Sequence, residues 1–130
     1  MNKERLTELA EKLLTIPEKI SEYQSLFLYY NDQIQSTLND IAQIESSIKS
    51  EISAQIDDNG KKVYGNAESR EAAFIISARC NTELSDKEKS LSLVQGRLAL
   101  EKNKMETLNS EQRNIRSILY FFGGSENEVF

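Results

Sequence analysis

The chain has little of what disulfides, metal sites and loops require. Its 130 residues include no histidine, no tryptophan, one cysteine, one proline and five glycines. Cys80 has no second cysteine with which to form an internal disulfide, and the lack of histidine argues against a zinc site. Because proline and glycine punctuate loops, their scarcity favours long helices over a loop-rich fold. We expect no metal and no cofactor.

Long apolar stretches are missing as well. No run comes near the roughly 20 apolar residues that a membrane-spanning helix needs, and the polar N-terminus does not resemble a signal peptide. The chain is 38% hydrophobic and 28% charged, with a formal net charge of −5. This acidic balance argues against a general nucleic-acid coat, although it allows a local basic patch. We expect one cytoplasmic domain without a membrane partner.

The apolar residues that are present recur at spacings of three and four, which is the period of an amphipathic helix. The leucines of residues 3–14 predict a short first helix. Thr15 and Glu18 form a capping box around Pro17, which predicts a break or sharp kink before the next helix. A second helix over 16–56 is predicted by apolar residues that recur every seven positions: Ile20, Phe27, Ile34, Ile41 and Ile48.

Two more helices complete the predicted set. The third, over 66–82, has apolar residues too dense for one narrow stripe, so we expect it to be buried on more than one side. The fourth helix, over 85–122, begins at a second capping box and carries a regular heptad series that includes Leu91, Leu98, Leu108 and Ile115. Gly123 and Gly124 end this helix, and residues 123–130 form a flexible acidic tail.

These helices predict an all-α domain over residues 1–122. The two heptad series run toward and away from residues 57–65, so they can pack antiparallel as a coiled-coil-like hairpin with the two shorter helices against it. The tip is predicted to be a turn or a tiny β-ribbon. Because two helices cannot bury both wide stripes, we expect a second copy to cover the remainder in a homo-oligomer. The packed positions, which we call the seam, are Ile34, Ile41, Ile48, Leu91, Leu98, Leu108 and Ile115.

The tip interrupts the helical sequence with turn formers and then with basic and aromatic side chains. The sequence DDNG at 57–60 favours a tight turn with positive φ. Residues 59–82 hold four basic and two acidic side chains, which suits phosphate contacts and stacking on an unpaired base. A solvated turn, with Asn66 as a helix N-cap, accounts for the same residues. The candidate nucleic-acid or partner contacts are Lys61, Lys62, Tyr64, Asn66, Arg70 and Arg79.

No catalytic arrangement is visible in the sequence. It has no histidine, no glycine-rich phosphate loop and no serine in a nucleophile elbow. The many carboxylates lie among lysines, as on a solvated helix face, and Asp57 with Asp58 suits a turn better than a metal site. We expect a protein that is not an enzyme. A second basic cluster lies on the fourth helix, where the outer positions of a coiled coil account for it: Arg97, Lys102, Lys104, Arg113 and Arg116.

The layout around GKKVYGNAESRE resembles a known class of proteins. A short helix, a long helix, a glycine-bearing turn with lysine, tyrosine, asparagine and arginine, and then two more helices look like small coiled-coil proteins of phages and mobile elements. The chain resembles in particular the UvsY type of phage recombination mediators, which are all-helical oligomers that help to load recombinase onto single-stranded DNA. The resemblance covers length and layout over most of the chain. It implies a bacterial host cytoplasm, and a recombinase, a single-strand binding protein or single-stranded DNA as partner.

Three functions compete on this sequence. The first is a non-enzymatic, phage-type accessory protein of DNA recombination or replication that acts as an oligomeric scaffold or mediator with a basic tip. The second is an inhibitor of a host defence nuclease, similar to anti-CRISPR proteins, whose acidic helical surface occupies a basic channel. The third is a purely structural coiled-coil protein. Salt-sensitive binding of single-stranded DNA is expected of the first, tight binding of a nuclease of the second, and self-association alone of the third.

Overall fold

Three α-helices account for most of the computed structural model, which describes residues 2–126, with side chains as far as residue 122. Helix α1 is Lys3–Ala54, α2 is Ala67–Cys80 and α3 is Thr82–Glu126. No strand occurs among the described residues, and the prediction of an all-α fold is confirmed. The prediction that the last helix ends at Gly123 and Gly124 is wrong, because α3 continues through both of them. A glycine weakens a helix by about 1 kcal/mol without forbidding it. The rest of the predicted tail lies outside the described residues.

The chain divides into two compact units. Unit 1 joins the chain up to Asn31 with the chain from Arg97 onward, and unit 2 is Asp32–Gly96. Each unit has its own cluster of buried apolar side chains. Helices α1 and α3 each contribute residues to both units. The heptad series continue across the boundary, so the sequence gives no sign of the division.

In unit 1, the beginning of α1 packs against the later part of α3. Half-buried apolar side chains from both helices surround a buried cluster. Burial of one leucine or isoleucine side chain contributes about 1.5–3 kcal/mol, so this cluster is the main attraction between the two helices. The buried residues are Leu6, Leu9, Ile16, Ile115 and Leu119.

Pro17 lies inside α1, and the break expected at residues 15–17 is absent. A proline in a helix interior removes one backbone hydrogen bond and costs about 3 kcal/mol relative to alanine. The residues on both sides of Pro17 pack into the same cluster, since Ile16 is buried and Leu13 and Ile20 lie against it. Burial of these side chains on α3 offsets the cost of the proline, and one helix results.

In unit 2, the later part of α1 packs against α2 and against the beginning of α3. The cluster takes residues from all three helices and from the loop before α2, so it fixes the position of that loop. Its buried members are Ile41, Ile48, Ile52, Ala73 and Leu84. The half-buried residues packed against them are Ile44, Tyr64, Phe74, Ala78 and Leu91.

Asn81 separates α2 from α3. Its extended backbone, with φ −82° and ψ 109°, ends α2, and its side-chain oxygen accepts a hydrogen bond from the N–H of Leu84 at 2.8 Å. Helix α3 therefore begins at Thr82, before the capping box at 85–88 that the sequence analysis used as its start. Asparagine is among the preferred N-cap residues, which explains the earlier start.

The seam residues are all removed at least partly from solvent by the chain itself. Four of them are buried and three are half-buried. Buried or half-buried positions recur at spacings of three and four along α1 from Leu6 to Ile52, across Pro17. A role of the seam in an oligomer stays a prediction. The buried members are Ile41, Ile48, Leu98 and Ile115, and the half-buried ones are Ile34, Leu91 and Leu108.

Helix α2 is buried on one side only. Among its residues Ala73 is buried, whereas Ile75 and Ile76 are 42% and 64% exposed. Its dense apolar sequence predicts burial on more than one side. The single chain covers one face of α2 and leaves the other open, which differs from that expectation.

We expect Pro17→Ala to stabilise the protein by up to about 3 kcal/mol, because alanine restores the helical hydrogen bond without disturbing the cluster around Ile16. Urea unfolding followed by circular dichroism measures this change in the free energy of unfolding. Ser21→Ala, at an exposed position one turn later, is the matched control and should change it by at most about 0.5 kcal/mol. A neutral or destabilising effect of Pro17→Ala would indicate that a helix begins at this proline.

Candidate functional site

The tip loop, residues 55–66, joins α1 to α2 and holds four of the candidate contact residues. Asp57 builds its turn, because the carboxylate accepts hydrogen bonds from the N–H groups of Asn59 and Lys61, both at 2.9 Å. Gly60 has a φ of +77°, which a residue without Cβ adopts easily, and its N–H donates to the Asp57 carbonyl at 3.0 Å. The carboxylate of Asp57 is thus committed to the backbone of the turn.

The loop folds back on the end of α1 through one isolated antiparallel bridge between Ile56 and Lys62. The N–H of Val63 donates to the carbonyl of Gln55 at 3.0 Å. Nearer the turn, the N–H of Asp57 donates to the carbonyl of Lys61 at 2.7 Å. The described residues therefore contain a bridged turn at the tip and not a pair of strands. These bonds fix the backbone that carries the two lysines.

Asn66 starts α2. Its side-chain oxygen accepts a hydrogen bond from the N–H of Ser69 at 2.8 Å, and the hydroxyl oxygen of Ser69 accepts one from the N–H of Asn66 at 3.4 Å. These reciprocal bonds form a capping box in which serine takes the place of the usual glutamate or glutamine. The N-cap role predicted for Asn66 is confirmed, and its amide is engaged inside the chain.

Tyr64 and Arg70 hold the loop from its inner side. Tyr64 is half-buried and packs against the cluster of unit 2. The guanidinium of Arg70, also half-buried, donates to the carbonyl oxygen of Tyr64 at 3.4 Å. A tyrosine packed in this way offers less ring surface for stacking on a base than an exposed one. Both residues therefore contribute first to the architecture of the tip.

Lys61 and Lys62 are exposed on this fixed backbone. Neither forms a salt bridge within the part of the chain that the structure describes. Close to them in the loop, Ile56 and Val63 are 63% and 49% exposed. The loop thus exposes two apolar side chains and two cations, which suit a partner that offers apolar and acidic groups. We call these four residues the tip surface: Ile56, Lys61, Lys62 and Val63.

Arg79 lies apart from the tip loop. It follows Arg70 along α2 by a rise of roughly 13 Å and a rotation of about 180° around the helix axis. Arg79 is exposed, whereas Arg70 is turned toward the loop that it hydrogen-bonds. Arg79 is therefore on the opposite side of α2 from Arg70. The candidate residues that the structure gathers around the tip loop are Lys61, Lys62, Tyr64, Asn66 and Arg70.

A groove of about 480 Å³ lies in unit 2 between α1 and the junction of α2 with α3. At its edge the ammonium group of Lys87 donates to a carboxylate oxygen of Asp40 at 2.9 Å. This hydrogen bond and the charge of Asp40, with a smaller contribution from Glu83, raise the pKa of Lys87 above its ordinary value of 10.5. A raised lysine pKa adds stability that is complete below pH 10.5 and is lost as the pH rises through the folded-state pKa. The lysine is therefore charged and paired at neutral pH.

Ile56 and Val63 are the tip residues that the sequence analysis does not identify as contacts. The heptad pattern assigns Ile56 to the stripe of the long helix, but α1 ends at Ala54 and leaves this side chain exposed. The sequence DDNG directly after Ile56 could have predicted this exposure, because a helix tends to end shortly before such a run of turn-forming residues. Successive side chains of an extended segment point in opposite directions. Because Tyr64 packs inward, its neighbour Val63 points outward and is exposed.

Comparison of the chain with protein-family models, curated proteins and solved structures gives no match. Within residues 2–126, no helix combines the length and the apolar character of a membrane span. Among the same residues, no three or more cysteine, histidine, aspartate or glutamate side chains converge as metal ligands do. The tip loop and the surfaces next to it are therefore the features of the chain that bear on its function.

We expect Asn66→Ala to lower the free energy of unfolding by about 1 kcal/mol, since α2 loses the side-chain acceptor of its capping box. Asn66→Asp is the matched control and should leave stability nearly unchanged, because aspartate caps helices as well as asparagine does. Chemical denaturation of the three proteins measures the difference. Equal stability of wild type and Asn66→Ala would show that the cap contributes nothing and would return Asn66 to the contact residues.

Proposed function

We propose that this protein is a non-enzymatic, phage-type accessory protein of DNA recombination or replication, a scaffold that binds a partner protein through the tip surface. The observation that carries the proposal is that two lysines, Ile56 and Val63 are all exposed on the same hydrogen-bonded loop. The partner class is a recombinase or a single-strand binding protein. Contact of the same lysines with single-stranded DNA is the second possibility to be tested.

The charges of the tip loop favour a protein over a nucleic acid as the first partner. Residues 55–66 contain two lysines and two aspartates, so the loop has no net charge. Binding to nucleic acid depends on neutralising several phosphates, and two lysines give a weak, salt-sensitive contact. Tyr64 is half-buried, which limits base stacking. Apolar side chains with charges at their rim are, in contrast, the usual composition of a protein interface.

The scaffold part of the proposal rests on the two heptad series. We propose that α1 and α3 form an antiparallel, coiled-coil-like hairpin and that copies of it associate as a homo-oligomer. Two ion pairs support this arrangement: Lys12 pairs with Glu111 within unit 1, and Asp40 pairs with Lys87 within unit 2. The earlier residue of α1, Lys12, thus meets the later residue of α3, and the later residue of α1, Asp40, meets the earlier residue of α3, as antiparallel helices require.

The test compares the wild type with the double variant Lys61→Glu, Lys62→Glu. Binding to an immobilised bacterial recombinase, to a bacterial single-strand binding protein and to a single-stranded oligonucleotide is measured separately. We expect the wild type to bind one of the two proteins and the charge reversal to weaken that binding at least about tenfold, because attraction at the interface becomes repulsion. Helicity should not change, since exposed loop side chains contribute little to stability.

The matched control is Lys89→Glu with Lys102→Glu, which reverses two exposed lysines of α3 and changes the net charge equally. It should bind as the wild type does. A wild type that binds neither protein, or a tip variant that binds as tightly as the wild type, contradicts the proposal. Salt-sensitive binding of the oligonucleotide alone would identify DNA as the partner.

A further inference from the structure

The two faces of α2 have different environments. The inner face carries buried Ala73 with half-buried Phe74 and Ala78, and it packs into unit 2. At 100° per residue, five other residues of α2 lie centred about 180° from that face. All five are exposed, Ile75 by 42% and Ile76 by 64%. We call this set the outer face of α2: Glu68, Ala72, Ile75, Ile76 and Arg79.

The outer face is complementary to itself. Glu68 and Arg79 stand at its two ends, about three helical turns apart and only about 20° apart around the axis, with the apolar residues between them. The midpoint of Glu68 and Arg79 falls between residues 73 and 74. The midpoint of Ala72 and Ile75 falls at the same place. A two-fold axis that passes through that point at right angles to the helix therefore exchanges Glu68 with Arg79, and Ala72 with Ile75, between two copies.

We infer that α2 is a homodimer interface, in which the outer faces of two copies pack antiparallel about a two-fold axis. Glu68 of each copy then opposes Arg79 of the other, and Ala72 opposes Ile75 of the other. Neither Glu68 nor Arg79 forms a salt bridge within residues 2–126, so both charges are available to the second copy. A contact of this kind is isologous and closes as a dimer.

The charges favour a second copy over an unrelated partner. Glu68 in the first turn and Arg79 in the last turn both suit the dipole of α2 itself. An antiparallel second α2 presents the reverse order, so both ion pairs and both dipoles are complementary. A parallel copy would place like charges together and would be repelled. The small side chain of Ala72 lets the two helices approach closely, so that the isoleucines lose contact with water.

This interface is small. Three turns of helix from each copy bury less than the roughly 1,200–2,000 Å² of a standard protein interface, so we expect a weak dimer with a dissociation constant in the micromolar range. The inference rests on the homo-oligomer of the proposed function and names its surface. It is independent of the tip surface, which lies on other residues.

The test is sedimentation of the full chain at concentrations up to about 500 μM, well above a micromolar dissociation constant. The wild type should form a dimer. Glu68→Arg and Arg79→Glu each turn two attractive pairs into two repulsive ones and should weaken the dimer at least about tenfold. The double variant with both substitutions should recover it. An equimolar mixture of the two single variants should form heterodimers, because every charge then meets an opposite one again.

The control is Glu106→Arg, an exposed charge reversal on α3 that should dimerise as the wild type does. Circular dichroism verifies that each variant is folded. A wild type that stays monomeric throughout overturns the interface together with the oligomer of the proposed function, and leaves binding through the tip surface untouched. A dimer that persists unchanged in both single variants, or a double variant that fails to recover it, overturns the α2 interface alone.

Discussion

The apolar stripe of α1, at spacings of three and four from Leu6 to Ile52, is the surface against which the other helices pack. In unit 1 it meets the later part of α3, and in unit 2 it meets α2 and the beginning of α3. The ion pair of Asp40 with Lys87 lies at the exposed edge of this packing, where water screens the attraction between the two charges. Hydrophobic burial along the stripe therefore determines where α2 lies. Through Tyr64 it also determines where the tip loop lies.

Much of the fold could be predicted because helical periodicity is a local signal that is repeated many times. The break at Pro17 could not be judged in this way, since a capping rule considers only neighbouring residues, whereas the burial of Ile16 depends on α3. A further signal was present in the sequence. Leu13, Ile20 and Phe27 are seven apart, so one register continues through the proline. Tertiary packing then outweighs the local preference for a helix start.

In the tip loop, too, some residue roles can be predicted from the neighbouring sequence and others depend on packing with distant residues. The roles of Asp57 and Asn66 follow from residue type, because their hydrogen bonds reach only a few residues along the chain. Tyr64 and Arg70 carry no such local mark, and their packing depends on a cluster built from three helices. The open face of α2 is a related case, since the density of apolar residues predicts a cover but does not identify what supplies it.

Each unit buries its part of the stripe within one copy, and we propose that copies meet through α2, so that folding and association would be separate properties of this chain. Thermal unfolding at concentrations where sedimentation shows only monomer tests this separation most directly. We predict a monomer as helical as the dimer, which unfolds cooperatively at a midpoint that does not change over about tenfold further dilution. Loss of helicity on dissociation, or a midpoint that keeps falling with dilution of the monomer, would contradict it, since the stripe would then be buried between copies.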